Sequence, residues 1–324
     1  MAVFTQLSDN DIKTLLKEFY LGEFLSSQPI TAGIENTNYF LETTKGHWVL
    51  TVFERLKDEE LPFYLNLCEH LAKKGCRVAR PQKSIDGKLF TYVKNKPVSI
   101  ANRIDGEDVK TVGIAEARSM GQLLGKMHQA AIDFPFFQKN LRGLDWWIDT
   151  APKVTPFLND RQVKLLSEEI AHQKALSQTE AFKQLTVAAC HCDLFKNNAL
   201  VTNPGKHDAS IAGVFDFYFA GCSPVLFDLA VTMNDWCIDP ETGCFNKEIA
   251  QVFIEAYNKV NPLGDNEKLF WRDMLRAAAL RFWMSRLFDF YLPRKASLLK
   301  PHDPTHFERI LEDRQTCELP WPRN

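Results

Sequence analysis

Between two short apolar runs lies the segment His191-Cys192-Asp193-Leu194-Phe195-Lys196-Asn197-Asn198, and the next apolar run closes with Val214-Phe215-Asp216-Phe217. The runs before and after the first segment, residues 185–190 and 199–201, read as strands, as does 210–215 after the turn at Asn203-Pro204-Gly205. A carboxylate early in such a loop can meet a hydroxyl. An amide oxygen five residues later can turn back toward a cation, and a second carboxylate from the next strand end can hold the same ion. Magnesium takes such hard oxygen ligands, few from protein and the rest from phosphate and water. Phosphoryl transfer needs this equipment: charge neutralisation, in-line positioning and a place for the nucleophile's proton. Each motif alone has a plainer reading, as loop-forming residues, an incidental turn and an ordinary hydrogen-bonded histidine. Their order, with a short strand pair between, points to chemistry.

His-x-Asp-x-x-x-x-Asn followed by a strand-end Asp resembles the signature of aminoglycoside phosphotransferases, choline kinases and their relatives, which share the protein-kinase fold. The resemblance implies ATP and Mg2+ as cofactors. It implies Asp193 as the catalytic base or hydroxyl-orienting group, Asn198 and Asp216 as magnesium ligands, and His191 as a brace for the loop. The later Pro224-Val225-Leu226-Phe227-Asp228-Leu229-Ala230 is similar to the family's Asp-Leu-Ala segment, in which Asp228 would support the loop from below.

These residues need a frame. Residues 37–44 and 47–53 are rich in aromatic and β-branched side chains around Lys45-Gly46, which predicts a hairpin. Leu61, Tyr64, Leu65, Cys68 and Leu71 recur on one helical face that ends at Gly75. Residues 88–93 and 97–104 read as further strands. Beyond Asp105-Gly106 the pattern turns helical over 112–131, 160–175, 246–260 and 267–291, the last closed by Pro293. The expectation is an α+β, protein-kinase-like, two-lobed fold. Residues 1–105 would form a small antiparallel-sheet lobe with one helix that binds nucleotide. Residues 106–324 would form a larger, mostly helical catalytic and substrate-binding lobe. Ligands often bind at such a junction.

On the nucleotide side, the turn containing Gly33, Asn36 and Asn38 would cover the phosphates with backbone N–H groups and side-chain amides. By the same resemblance, backbone groups of Asn102, Arg103 and Ile104 would hold adenine. One departure stands out. Thr51 occupies the strand position where these kinases carry a phosphate-pairing lysine. Strand parity puts Arg55 on the side of Thr51, which makes Arg55 the candidate substitute, with Lys57 or backbone amides as alternatives.

For the acceptor, the stretches 33–41, 49–56, 142–147, 234–237 and 281–283 resemble the homoserine kinases of the aminoglycoside-phosphotransferase type. That resemblance implies homoserine as substrate and O-phosphohomoserine, a precursor in threonine biosynthesis, as product. A small zwitterion needs a cation for its carboxylate, and a planar guanidinium suits it. Arg281, on an otherwise apolar helix, is the candidate for the carboxylate, and Asp235 for the ammonium. The plainer reading pairs Arg281 and Arg286 with Asp289 or water and makes Asp235 a helix cap. Trp146, Trp147, Trp236 and Trp283 could instead line a choline-like cation site, although such residues are more often core. An aminoglycoside acceptor would want a dense acidic surface, which the helical half lacks. A nucleotide-binding pseudokinase scaffold is the alternative from another class, favoured by the missing lysine and opposed by Asp193, Asn198 and Asp216 together.

Composition narrows the partners. The chain has 324 residues, 45% of them hydrophobic, and a net charge of −2, without the basic excess of a nucleic-acid binder. No stretch approaches the ~18 uninterrupted apolar residues of a membrane helix. The first ten residues lack the pattern of a signal peptide. A soluble cytoplasmic enzyme with no membrane or nucleic-acid partner is expected. The eight cysteines read as reduced thiols. His191 between Cys190 and Cys192 has no second, distant pair to complete a zinc site. Oligomeric state is not legible.

Overall fold

The period-two alternation of the first hundred residues becomes a five-stranded antiparallel sheet. The computed structural model describes residues 4–31, 36–293 and 302–323. These divide into two units, residues 4–105 and residues 106–293 with 302–323.

The first unit runs α1 (Asp9–Leu16), β1 (Phe24–Ile30), β2 (Thr37–Thr43), β3 (Gly46–Val52), α2 (Leu61–Lys73), β4 (Thr91–Val93) and β5 (Lys96–Asn102). Sheet order is β1-β2-β3-β5-β4. The expected hairpin is β2–β3, with Asn38 opposite Thr51. The unit holds two helices rather than the one expected. Ser8 and Asp11 cap α1 reciprocally, and Ile12, Leu15 and Leu16 form its buried face. They share one core with Tyr39, Leu41, Leu50, Val52, Val98 and Ile100, alternate residues of β2, β3 and β5. Each fully buried aliphatic side chain contributes roughly 1.5–3 kcal/mol to that contact.

The second unit runs β6 (Glu107–Asp108), α3 (Ile114–Ala131), α4 (Leu144–Val154), α5 (Asp160–Ser177), α6 (Glu180–Lys183), β7 (Val187–Cys190), β8 (Ala199–Thr202), β9 (Ser210–Val214), β10 (Gly221–Pro224), α7 (Val225–Trp236), α8 (Lys247–Asn258), α9 (Asp265–Tyr291) and α10 (Thr305–Thr316). The three strands foreseen in this half belong to two separate ladders. β7 pairs with β10, and β8 lies between β6 and β9. Gly121 of α3 faces the Phe253 carbonyl of α8 so closely that a Cβ would collide with it, so the small residue sets this helix spacing. The terminal segment is tied down: Trp271 Nε1 donates to the Pro320 carbonyl at 2.8 Å, and Arg272 donates to the Cys317 carbonyl at 2.9 Å. No described helix is long and apolar enough to cross a membrane.

One side chain joins these pieces. Asp228, in the first turn of α7, is fully buried. Its Oδ1 accepts from the Cys192 N–H at 2.7 Å and its Oδ2 from the His191 N–H at 3.0 Å. His128 Nε2 of α3 meets the same Oδ2 at 3.0 Å, and His128 Nδ1 meets the Tyr257 hydroxyl of α8 at 2.8 Å. Burial opposes ionisation, yet the His128 hydrogen bond, the nearby histidines and the Cys192 N–H hold the carboxyl below its usual value of 3.8. The group is therefore ionised in the folded protein at neutral pH.

Removing a buried anion strands its donors, which costs about 3–5 kcal/mol. Asp228→Ala is expected to lower the unfolding free energy by that amount in urea titration at pH 7. Because the folded-state pKa is depressed, the stabilisation is complete above the unfolded value and fades as pH falls through the folded one. The stability gap between wild type and Asp228→Asn should accordingly narrow below about pH 4. A gap independent of pH would contradict an ionised Asp228.

Candidate active site

The 191–198 loop leaves β7 with its first two N–H groups on Asp228, and Cys192 adopts the left-handed conformation, φ 61°. The short helical turn Lys196–Asn198 then begins with the Lys196 N–H donating to Asp235 Oδ2 at 2.7 Å. Trp236 Nε1 donates to the Leu194 carbonyl at 3.1 Å. Phe195 packs 4.3 Å from the Phe282 ring centroid and 5.8 Å from that of Phe307. The loop is thus held from α7 by Asp228, Asp235 and Trp236, and from α9 and α10 by aromatic contact.

Within the loop, Asn198 Nδ2 donates to the Asp193 carbonyl at 2.8 Å and lies 3.5 Å from its Oδ2. That leaves the amide oxygen of Asn198 as the end able to meet a cation. The Asn198 carbonyl accepts from the Phe215 N–H at 3.0 Å, and His191 Nε2 donates to the Phe215 carbonyl at 2.9 Å. Phe215 is therefore fixed on both sides, and Asp216 follows it in the left-handed region, φ 64°, which aspartate tolerates better than most side chains. Asp193, Asn198 and Asp216 stand on one hydrogen-bonded frame. Two carboxylates and an amide oxygen are a hard donor set that fits a magnesium ion. Burial lowers the His191 pKa, and with Nε2 donating the ring is neutral.

Arg281 of α9 is 3% exposed and has its Nη2 3.9 Å from Asp193 Oδ1. Its Nη1 donates to Ser285 Oγ at 2.7 Å, and the guanidinium stacks 4.1 Å from the Phe282 centroid. Burial lowers its pKa to about 10, against the pull of Asp193, so it stays charged at neutral pH. It does not face water. Asp235 is also largely buried; desolvation raises its pKa, while Lys196 and the Lys196 N–H counter that rise. Its carboxylate is engaged by the turn it caps. Arg286 stacks 4.5 Å from the Phe307 centroid.

The four tryptophans do not assemble an open cage. Trp147, Trp236 and Trp283 are 5%, 1% and 0% exposed, and the Arg142 guanidinium lies 4.6 Å from the Trp146 centroid. The ligand atoms of His128, Cys190 and Asp228 lie within 4.8 Å of one another. Both nitrogens of His128 are engaged, and burial together with the Asp228 charge pushes the Cys190 thiol well up, so this group is a hydrogen-bonded strut. In the sequence His128 shares a helical stripe with Ala117, Gly121 and Leu124, and a histidine inside such an apolar stripe is the available signal.

In the first unit, Thr51 Oγ1 donates to Asn38 Oδ1 at 2.8 Å, and the Glu54 N–H donates to Asn36 Oδ1 at 3.4 Å. Gly33 lies outside the described residues. Arg55 is exposed and follows the end of β3 at Val52, so strand parity does not extend to it and the argument that placed it beside Thr51 fails. Lys83 meets Glu69 of α2 at 3.3 Å. Lys73, one turn along α2, meets the same carboxylate at 3.2 Å. The Asn102 N–H already donates to the Arg80 carbonyl at 3.1 Å and the Arg103 N–H to that of His47 at 3.2 Å. Those two donors are not available to a base, a correction to the expected adenine contacts.

Residues 26–263 match the sequence profile of the phosphotransferase enzyme family. A homoserine kinase from Burkholderia ambifaria (strain MC40-6) is 48% identical over 317 residues, spanning 97% of this chain and 96% of the relative. A homoserine kinase from Burkholderia vietnamiensis (strain G4 / LMG 22486) is 47% identical over 97% of this chain and 96% of its own length. Among solved structures, an amicoumacin kinase in complex with AMP-PNP and Ca2+ matches with a TM-score of 0.68 at 16% identity, over 95% of this chain and 93% of that one. An aminoglycoside phosphotransferase from Alicyclobacillus acidocaldarius matches with a TM-score of 0.64 at 13% identity, over 96% and 94%. The solved structures carry the fold, which is the α+β, protein-kinase-like one expected, and the sequence matches carry the kinship. The chain belongs to the phosphotransferase enzyme family.

Proposed function

We propose that this protein transfers the γ-phosphoryl group of ATP to the side-chain hydroxyl of L-homoserine, giving O-phospho-L-homoserine and ADP, a step toward threonine. The observation that carries the acceptor is Arg281, a buried and charged guanidinium held 3.9 Å from the Asp193 carboxylate. Near-full-length identity to proteins named homoserine kinase supports the same reading.

In this reading Asp193 accepts a hydrogen bond from the acceptor hydroxyl and turns its oxygen toward phosphorus. A bond forms between that oxygen and the γ-phosphorus, the bond to the β–γ bridging oxygen breaks, and the hydroxyl proton leaves through Asp193. Arg281 takes the acceptor carboxylate. Asp235 takes the ammonium with the lone pairs left by the Lys196 N–H. Asn198 and Asp216 would hold Mg2+, which when bound neutralises phosphate charge. Gly33, Asn36 and Asn38 would serve the phosphates. Ile104 is the backbone donor proposed for adenine, with the carbonyls of Asn102 and Arg103 beside it. His191 and Asp228 hold the loop and touch no reactant.

A panel of homoserine, choline and an aminoglycoside, followed by ADP release, is expected to show turnover concentrated on homoserine; equal or absent turnover on all three would reject the acceptor. Asp193→Asn should cut kcat by about 100- to 10,000-fold while leaving Mg-ATP affinity intact. Near-normal turnover would remove Asp193 from the chemistry and revive the scaffold reading. For the phosphate-pairing cation, Arg55→Ala is expected to raise the KM for ATP several-fold. No change there, with a rise in Lys83→Ala, would move that role to Lys83.

A further inference from the structure

Arg281, which neighbours Asp193, shares an aromatic contact with a second guanidinium. Arg281 lies 5.4 Å and Arg142 lies 5.8 Å from the centroid of Phe219. Each also stacks on an aromatic of its own, Arg281 on Phe282 and Arg142 on Trp146. The two charges sense each other, since Arg142 is among the groups that depress the Arg281 pKa. Like charges repel, and the burial of Arg281 reduces the screening of that repulsion. The 3.9 Å from Arg281 to Asp193 is longer than the ~2.7–2.9 Å of a charge-assisted hydrogen bond. A carboxylate reaching both guanidinium groups would be held by two planar forks.

The segment that presents Arg142 is built onto the site. The Cys222 N–H donates to the Gln138 carbonyl at 2.6 Å, and Asn140 Nδ2 lies 3.7 Å from the sulfur of Cys192 in the 191–198 loop. The Arg142 N–H donates to Asn140 Oδ1 at 2.9 Å, and its carbonyl accepts from Trp147 Nε1 at 2.7 Å. Gly221 permits this approach, because a Cβ there would stand 2.7 Å from the Asn140 Cα. Arg142 thus keeps a fixed register with the loop that carries Asp193.

We propose that Arg142 is the second arm of a carboxylate clamp, gripping one oxygen of the acceptor's α-carboxylate while Arg281 grips the other, and that this pair selects amino-acid alcohols over amino alcohols. The proposal rests on the homoserine reading above. Two planar forks on one carboxylate hold its orientation as well as its charge, and so fix how far the acceptor chain reaches toward Asp193.

The test compares homoserine with 3-aminopropan-1-ol, which is homoserine without its carboxylate. The quantity read is the ratio of kcat/KM for the two acceptors, in wild type, Arg142→Ala, Arg142→Gln and Arg142→Lys. Arg142→Gln keeps much of the stem and a planar end, which guards against a folding failure in the alanine variant. The ratio is expected to fall about 10- to 100-fold in the alanine and glutamine variants, mainly through the homoserine KM, with partial recovery in the lysine variant. Where the amino alcohol turns over too slowly, its inhibition constant against homoserine supplies the same comparison. An unchanged ratio overturns the clamp, and so does an equal loss on both acceptors, which is what a merely structural Arg142 would produce. Wild type preferring the amino alcohol would instead overturn the homoserine reading, and the clamp with it.

Discussion

A single carboxylate with no exposure to water organises the catalytic half of this protein. Asp228 receives the first two N–H groups of the 191–198 loop and a histidine from α3, and the histidine passes the constraint on to α8 through Tyr257. A buried anion is tolerable only when its lone pairs are filled, and filling them dictates where the loop must go. The left-handed turn at Cys192 and the reach of Asn198 back to Asp193 follow from that start. His191 adds the return link to Phe215, so the carboxylate after it is positioned by the same frame.

A second buried charge works against stability rather than for it. Arg281 lies in a stretch of α9, Ala277 to Met284, whose side chains are all buried, and its nearest carboxylate belongs to the residue proposed to handle the acceptor hydroxyl. A leucine there would pack with less desolvation cost. Retaining a buried guanidinium beside Asp193 fits the anionic acceptor proposed above. Phe282, which stacks on Arg281, itself packs against Phe195 and Phe307, so apolar rings border the buried charge.

Features legible in the sequence were those encoded by local period or fixed spacing. The β2–β3 hairpin, α2 and the long α9 announce themselves through repeats of two or of 3.6 residues. The loop motif is readable because Asp193 and Asn198 lie on one short segment. The Ser8–Asp11 capping box and the Ile12, Leu15, Leu16 stripe would have announced α1, but eight residues give a weak periodic signal. Pairings between distant segments left no local trace: nothing in residues 185–190 says that β7 pairs with β10 rather than β8. The orientation of Arg55 was not legible, because strand parity stops at Val52 where β3 ends. Arg142 was not legible as a site residue because its nearness to Arg281 and Phe219 is a tertiary relation between positions far apart in the chain.

The central claim is that Asp193, Asn198 and Asp216 act together on a metal-bound nucleotide and an alcohol. A crystal structure of the protein with Mg2+, a non-hydrolysable ATP analogue and homoserine tests it most directly. Magnesium is expected about 2.1 Å from the Asn198 amide oxygen and an Asp216 carboxylate oxygen, with the homoserine hydroxyl within hydrogen-bond reach of Asp193. Magnesium bound without either residue, or a hydroxyl directed away from Asp193, would contradict it.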